Sequence, residues 1–298
     1  MRFAKVVASA MLALLAIAHG APVDPTVPID ESLIDLNYSE SYYMADPEFA
    51  METDEDQGIF PDVNAIVQRN YEKAMKNSEK AMGYCVFSFT YGCLPSNFFF
   101  YGFDTMENSA KELKAFIDEI LLKTGAGKVD IVGYSQGTLM PRYYQRHLGG
   151  AQKSNRYTGF GSIQSGTTFS GLRMFFEKLN FFNKIKKVLS PLCLACFEME
   201  HRSEWPAKMN KSRNIEVGVK YFLIMTKYDD VVIPYINGIL NATVEDPGKV
   251  KMNILQDCCS IDFSEHILIS YDPIVFNLLS SFLDPKAEQR INCWRALK

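Results

Sequence analysis

The sequence predicts an α/β fold, a mostly parallel sheet with helices on both faces, and three observations lead there. Apolar stretches of strand length and of helical period alternate between residues 84 and 163, in the order strand, helix, strand, helix, strand. That alternation lays successive strands parallel and places the connecting helices on the faces of the sheet. Within it, Val129, Ile131 and Val132 make a short β-branched run that ends in Gly133-Tyr134-Ser135-Gln136-Gly137, and Leu139, Tyr143, Tyr144 and Leu148 continue at helical spacing. A strand, a sharp turn with a serine between two glycines, and a helix form the Gly-x-Ser-x-Gly elbow. Finally, 47% of the 298 residues are hydrophobic, enough for one large core or two modest ones, and one domain over residues 58–298 is the expectation.

The N-terminus reads differently. Arg2 and Lys5 precede a 13-residue apolar run, residues 6–18, which is followed by small residues. This order describes a secretory signal peptide over residues 1–20, cleaved near Gly20, because 13 residues are too few for a membrane anchor. No later stretch is apolar enough to span, so a soluble, extracellular product is expected. Residues 21–57 hold eleven Asp or Glu and no Lys, Arg or His, with Pro22, Pro25, Pro28 and Pro47 breaking any period. Such a segment cannot bury enough surface to order itself and reads as an acidic disordered arm. The formal charge of −4 divides into +2 in the leader, −11 in the arm and +5 in residues 58–298. The domain is therefore mildly basic, without the dense basic stripe that nucleic-acid binding needs.

Along the domain, residues 61–82 carry a helical stripe of Val63, Ile66, Val67 and Tyr71, and residues 84–91 read as a buried strand. An aromatic loop over 97–103 leads to a helix over 106–123, striped by Leu113, Phe116, Ile117, Ile120 and Leu121 and stopped by Gly125. The elbow follows, its helix ends at Gly149-Gly150, and residues 157–163 form the next strand. Residues 167–200 leave the alternation. Leu172, Phe175, Phe176, Leu179 and Phe182 recur at helical spacing beside five basic residues, which describes an amphipathic insertion, either a packed helix or a lid that meets a lipid surface. Strands at 217–226 and 250–255 resume the pattern, and Asp272-Pro273 begin a last helix as N-cap and first-turn proline.

Seven cysteines leave at least one unpaired. Cys193-Leu-Ala-Cys196 lacks a second ligand pair for zinc and reads as a local disulfide. Adjacent Cys258 and Cys259 do not serve each other, and Cys85 in an apolar strand reads as a buried thiol. Asn37, Asn210 and Asn241 begin glycosylation tripeptides.

A serine hydroxyl is a poor nucleophile until a positioned base takes its proton, and the base needs an orienting carboxylate. Beyond an elbow the order is serine, acid, histidine. Of four histidines, His19 leaves with the leader, His147 lies on the elbow's own helix and His201 precedes any strand that presents an acid, so His266 remains. The acid belongs just past the strand at 217–226, where Asp229 and Asp230 compete. Asp130 lies at the wrong end of the elbow strand to reach and reads as structural.

These residues carry a resemblance. Residues 129–144, from Val129-Asp-Ile-Val-Gly-Tyr-Ser-Gln-Gly-Thr to Arg142-Tyr-Tyr, continue to Leu148-Gly-Gly and resemble the secreted class 2 triacylglycerol lipases of the α/β-hydrolase superfamily. Gly83-Tyr-Cys-Val-Phe-Ser, Ser165-Gly-Thr-Thr, Cys193-Leu-Ala-Cys196, Lys227-Tyr-Asp-Asp-Val-Val-Ile-Pro-Tyr235 and Glu265-His266 extend the likeness over about residues 83–283. The resemblance implies an α/β-hydrolase fold with a lid or cap insertion and hydrolysis of long-chain carboxylic esters without metal or organic cofactor. It also implies a triad of Ser135, Asp229 and His266. The Gln136 N–H follows the nucleophile and is one oxyanion donor. The chain departs from the family at Tyr134, where a histidine is usual, and at Thr138, where a glycine is usual. It also departs in a core strand before Gly83 whose His-Gly turn supplies the second oxyanion donor: no such strand is visible over 50–82. Two function classes follow, a secreted lipase or esterase, and a hydrolase-fold lipid-binding protein with little catalysis for want of that strand. A serine peptidase has no supporting feature. The expected partners are a lipid ester and, peripherally, a lipid surface.

Overall fold

A computed structural model describes residues 13–19, 85–88, 91–94, 101–168, 193–211, 215–240, 249–284 and 291–295. The acidic arm, the helix expected over 61–82 and the apolar and basic stripe of the insertion lie outside the described residues.

Six strands form one sheet: β1 (Ala13–His19), β2 (Cys85–Ser88), β3 (Lys128–Tyr134), β4 (Ser154–Phe160), β5 (Lys220–Met225) and β6 (Val250–Ile254), in the spatial order β2-β1-β3-β4-β5-β6. From β3 to β6 every pairing is parallel. Strand β1 is antiparallel to both of its neighbours, so β2 runs the same way as β3 and one strand of six is reversed.

Alternating side chains of the strands supply a core on each face. On one face Val129, Ile131, Tyr157, Tyr221 and Leu223 join the apolar sides of α1 (Met106–Thr124) and α2 (Met140–His147). On the other, Val132, Tyr134, Phe160, Phe222 and Ile224 meet Ile274, Val275, Leu278 and Leu279. Burial of each such side chain stabilises the fold by about 1.5–3 kcal/mol, which explains why strands covered on both faces read as continuous apolar runs.

Local signals set the helix ends. In α1 the Thr105 side chain accepts from Asn108 N, the Glu198 carboxylate accepts from Met106 N at 2.6 Å, and Gly125, at φ 68°, closes the helix in the left-handed conformation. The expected stripe is buried, with Leu121 partly so. The elbow helix begins one step later than its sequence suggests, because Ser135–Thr138 form a 3-10 turn before α2. Short helices α3 (Gly150–Lys153), α4 (Leu194–Glu198), α5 (Glu204–Asn210) and α6 (Leu255–Cys258) are followed by α7 (Pro273–Leu283), which Asp272 caps by accepting from Ile274 N at 2.7 Å.

Strand β1 corrects the expectation that the place beside the elbow strand is empty. The run expected in the leader fills it, from Ala13 opposite Tyr134 to His19 opposite Lys128, while residues 15–18 pair with β2. The physical reason is compositional: a leader's apolar stretch and a central strand are both short and continuously apolar. Only unpaired backbone groups on β2 and β3 distinguish the two uses. The direction matters as well. His19 stands at the start of β3, about 20 Å along the strand from Ser135, at the end of the sheet away from the serine.

Candidate active site

The site is built where β3 ends. Ser135 has φ 51°, the one positive value at a non-glycine residue among the described residues, and such backbone costs on the order of 1–3 kcal/mol. Position 133 must be glycine, since a Cβ there would lie 1.9 Å from the Gly137 carbonyl oxygen. Thr138 knits the turn together: its hydroxyl donates to Ser135 O at 2.6 Å and accepts from Ile163 N at 3.0 Å, and its carbonyl accepts from Gln164 Nε2 at 2.7 Å and from the Tyr157 hydroxyl. Gln136 is buried, accepting from the Tyr91 hydroxyl at 3.2 Å and donating to Gly102 O at 2.9 Å. Tyr91 and Gly102 are thereby tied to the residue whose N–H follows the serine.

The loop between α6 and α7 brings His266 to Ser135, with Nε2 2.9 Å from Oγ, and the loop after β5 brings Asp229 to the other side, with Oδ2 2.9 Å from Nδ1. An ionised carboxylate only accepts, so Nδ1 carries the imidazole proton and Nε2 is left to accept from the serine. Asp229 is locked in this orientation, because its Oδ1 accepts from Val231 N at 3.0 Å and Val232 N at 2.6 Å, which leaves Oδ2 for the histidine. Asp230, the competing neighbour, is exposed.

Several supports escaped sequence reasoning. The Tyr134 hydroxyl crosses to the histidine loop and donates to His266 O at 2.6 Å, with its ring stacked on Phe160 and tilted against His266. Burial pushes this phenol well above its ordinary pKa, with the Asp229 charge adding to the effect, so it stays a donor. Thr226 Oγ1 donates to Ser264 O at 2.6 Å and joins the acid loop to the histidine loop. Gly161, at φ 57°, leaves room for the imidazole, 3.2 Å from where its Cβ would stand. The only sequence signal for these was proximity to the motif residues.

The remaining candidates stand elsewhere. Asp130 is buried in an ion pair with Arg156 at 3.0 Å and accepts from Arg156 N and Asn155 Nδ2. His147 packs on Tyr143, and His201 sits beside Glu200. Asn210 is poorly placed to carry a glycan: its amide accepts from the buried Arg142 guanidinium and donates to Gln164 O, both at 3.0 Å. Asn37 and Asn241 lie outside the described residues. Cys193 pairs with Cys196 and Cys259 with Cys293, while Cys93 and Cys258 are free. Among the described residues no helix is long and apolar enough to cross a membrane.

A parallel sheet, a strained serine elbow on its central strand and acid and histidine loops at the same sheet edge define an α/β-hydrolase. The family model "Lipase (class 2)" matches residues 62–252, and the chain belongs to that family. Its solved structural neighbours include Aspergillus fumigatus lipase B, with TM-score 0.50 and 15% identity over 65% of this chain and 46% of that one. A Bacillus licheniformis lipase in mature form matches at TM-score 0.45 and 14% identity, over 62% of this chain and 76% of that one. A thermophilic esterase from Thermogutta terrifontis matches at TM-score 0.45 and 11% identity, over 74% and 86%. The chain thus spans less than half of the first of these. No curated protein sequence matches it.

Proposed function

We propose that this chain is a secreted carboxylic ester hydrolase, a triacylglycerol lipase, that works through a Ser135-His266-Asp229 triad and an acyl-enzyme. The observation that carries the reading is the pair of 2.9 Å contacts on either side of His266. Ser135 Oγ attacks the ester carbonyl carbon as His266 Nε2 takes its proton, and Asp229 stabilises the imidazolium. The carbonyl oxygen becomes the oxyanion against the Gln136 N–H. His266 then returns the proton to the leaving alkoxide, and a water molecule repeats the sequence on the acyl-serine to release the acid. Long acyl chains are proposed from the family and from exposed apolar residues near the site in sequence, Tyr228, Ile233, Ile236, Phe263 and Leu268. Extracellular location is supported by the two cysteine pairs.

A second reading, a lipid-binding hydrolase fold with slow chemistry, is favoured by one observation. The end of β1 beside Ser135 is Ala13 and His19 stands at the opposite end, so among the described residues β1 brings no histidine to the oxyanion, and loss of one donor costs about 10²–10³ in turnover. The test is labelling by a fluorophosphonate together with hydrolysis of a soluble ester, for the wild type and Ser135→Ala. Labelling and turnover that both vanish in the variant support the hydrolase. Labelling without measurable turnover supports the second reading, and equal labelling of both proteins overturns the assignment of Ser135.

A further inference from the structure

The loop that carries His266 also holds two acids that acyl transfer does not use. Asp262 and Asp272 are both buried, 0% and 3% exposed, and meet at one residue. Ser264 bridges them, its N–H donating to Asp262 Oδ1 and its Oγ to Asp272 Oδ2, each at 2.9 Å. Asp272 Oδ1 is taken by the cap on α7. Asp262 Oδ2 is buried with no N–H or hydroxyl donor among the described residues.

The charged and titratable groups around the pair offer no compensation among the described residues. On the same loop stand Glu265, which accepts from Ile267 N and Leu268 N, His266 and Tyr271. Strand β3 contributes Tyr134, the acid loop Asp229 and Lys227, and α6 Asp257 and Cys258; Lys227 is engaged by Asp257 at 2.5 Å. Helix α7 has no titratable side chain. Two carboxylates in contact and out of water do not both stay ionised without a cation. A proton between them removes one charge and gives Asp262 Oδ2 its donor.

We propose that Asp262 and Asp272 share one proton and that the pair positions His266, holding its turn for catalysis and loosening it when the proton is lost. The mechanical link is short. Ser264, which both acids hold, also accepts from Thr226 through its carbonyl and lies two residues before the histidine, so repulsion between the acids shifts the imidazole relative to Ser135 Oγ. The pair is separate from the triad, and its acids are positioning residues rather than catalytic ones.

Burial and the neighbouring Asp262 push the Asp272 carboxyl up to about 6. A folded value above the unfolded one contributes stability that is full below the unfolded value and lost as pH rises through the folded value, so the window runs from the ordinary aspartate range up to about 6. A shift of this size is on the order of a hundredfold in the folding equilibrium.

The inference rests on the ester-hydrolase reading for its kinetic arm alone. The full chain, Asp272→Asn and Asp262→Asn are compared from about pH 4 to about pH 8, by kcat and KM on a soluble ester and by melting temperature. Asn at 272 keeps the cap acceptor and supplies a permanent N–H to Asp262. Relative to the Asn variants, wild-type kcat is expected to fall several-fold as the pH rises through about 6 at constant KM, and its melting temperature to fall across the same rise. In either Asn variant both declines should be absent. A pH profile of kcat that is the same in wild type and folded variants, or a wild-type melting temperature that does not fall across the window, overturns the proposal. If only one variant folds it decides the matter, and if neither does, the wild-type melting curve does. Hydrolysis unchanged by Ser135→Ala would remove the hydrolase reading while the melting arm still tests the pair.

Discussion

At the residue scale the decisive feature is division of labour within pairs of like groups. Asp229 and Asp230 are chemically identical neighbours, yet the two backbone N–H groups of Val231 and Val232 grip one and turn its free oxygen to His266. Asp229→Asn is therefore expected to lower kcat by about 10⁴, by favouring the wrong imidazole tautomer, while Asp230→Asn stays within about twofold, as exposed substitutions do. Steady-state kinetics on a soluble ester measures both, and the reverse ranking would reassign the acid. Tyr134 offers a second residue-level test. Its hydroxyl holds the His266 carbonyl from the strand that also carries Ser135, so Tyr134→Phe should leave KM unchanged, lower kcat and reduce stability by about 1–2 kcal/mol. A wild-type kcat in that variant would show that the remaining bonds position the histidine unaided.

At the element scale β1 joins two strands that nothing else in the sheet joins. It pairs with β3 along its whole length and with β2 on the other side, so its removal leaves backbone donors and acceptors of both strands without partners in a sheet covered by apolar side chains. A chain that begins at residue 21 is expected to melt at a lower temperature than the full chain and to aggregate, and thermal denaturation with light scattering checks this. Equal melting of the two would mean that another segment takes the place of β1. The leader and the strand draw on the same residues, so N-terminal sequencing of exported protein also shows which use prevails.

At the scale of the whole molecule, two loops bring His266, Asp229 and a set of exposed apolar residues toward the edge of the sheet where β3 and β5 end. Tyr228 and Phe263 pack on one another at 5.3 Å although both are exposed, and Ile236 and Leu268 are exposed as well. Exposed apolar side chains suit a lipid surface better than water, and under the proposed function these stand on, or near in sequence to, the loops that carry Asp229 and His266. Phe263→Ser with Leu268→Ser is expected to leave hydrolysis of a monomeric soluble ester near wild type and to lower activity on an emulsified long-chain ester at least several-fold. Equal loss on both substrates would assign these residues to the fold of the histidine loop.

The sequence alone determined the alternation of strands and helices, the elbow, the ends of α1 and the start of α7, because each depends on local chemistry: apolar period, a glycine where no Cβ fits, a cap, a breaker. It proposed Ser135 and His266 and left Asp229 and Asp230 competing until the family resemblance favoured Asp229. Tertiary structure alone decided three other things. It gave residues 13–19 to the sheet, since a leader and a buried strand have the same composition and only neighbouring strands with open edges separate them. It set Tyr134, Thr226 and Ser264 as ties between loops, contacts across 132 and 38 residues of chain for the first two, which no spacing rule encodes. It brought Asp262 against Asp272 out of water, where the state of a carboxyl depends on what surrounds it in space and not on its neighbours in the chain.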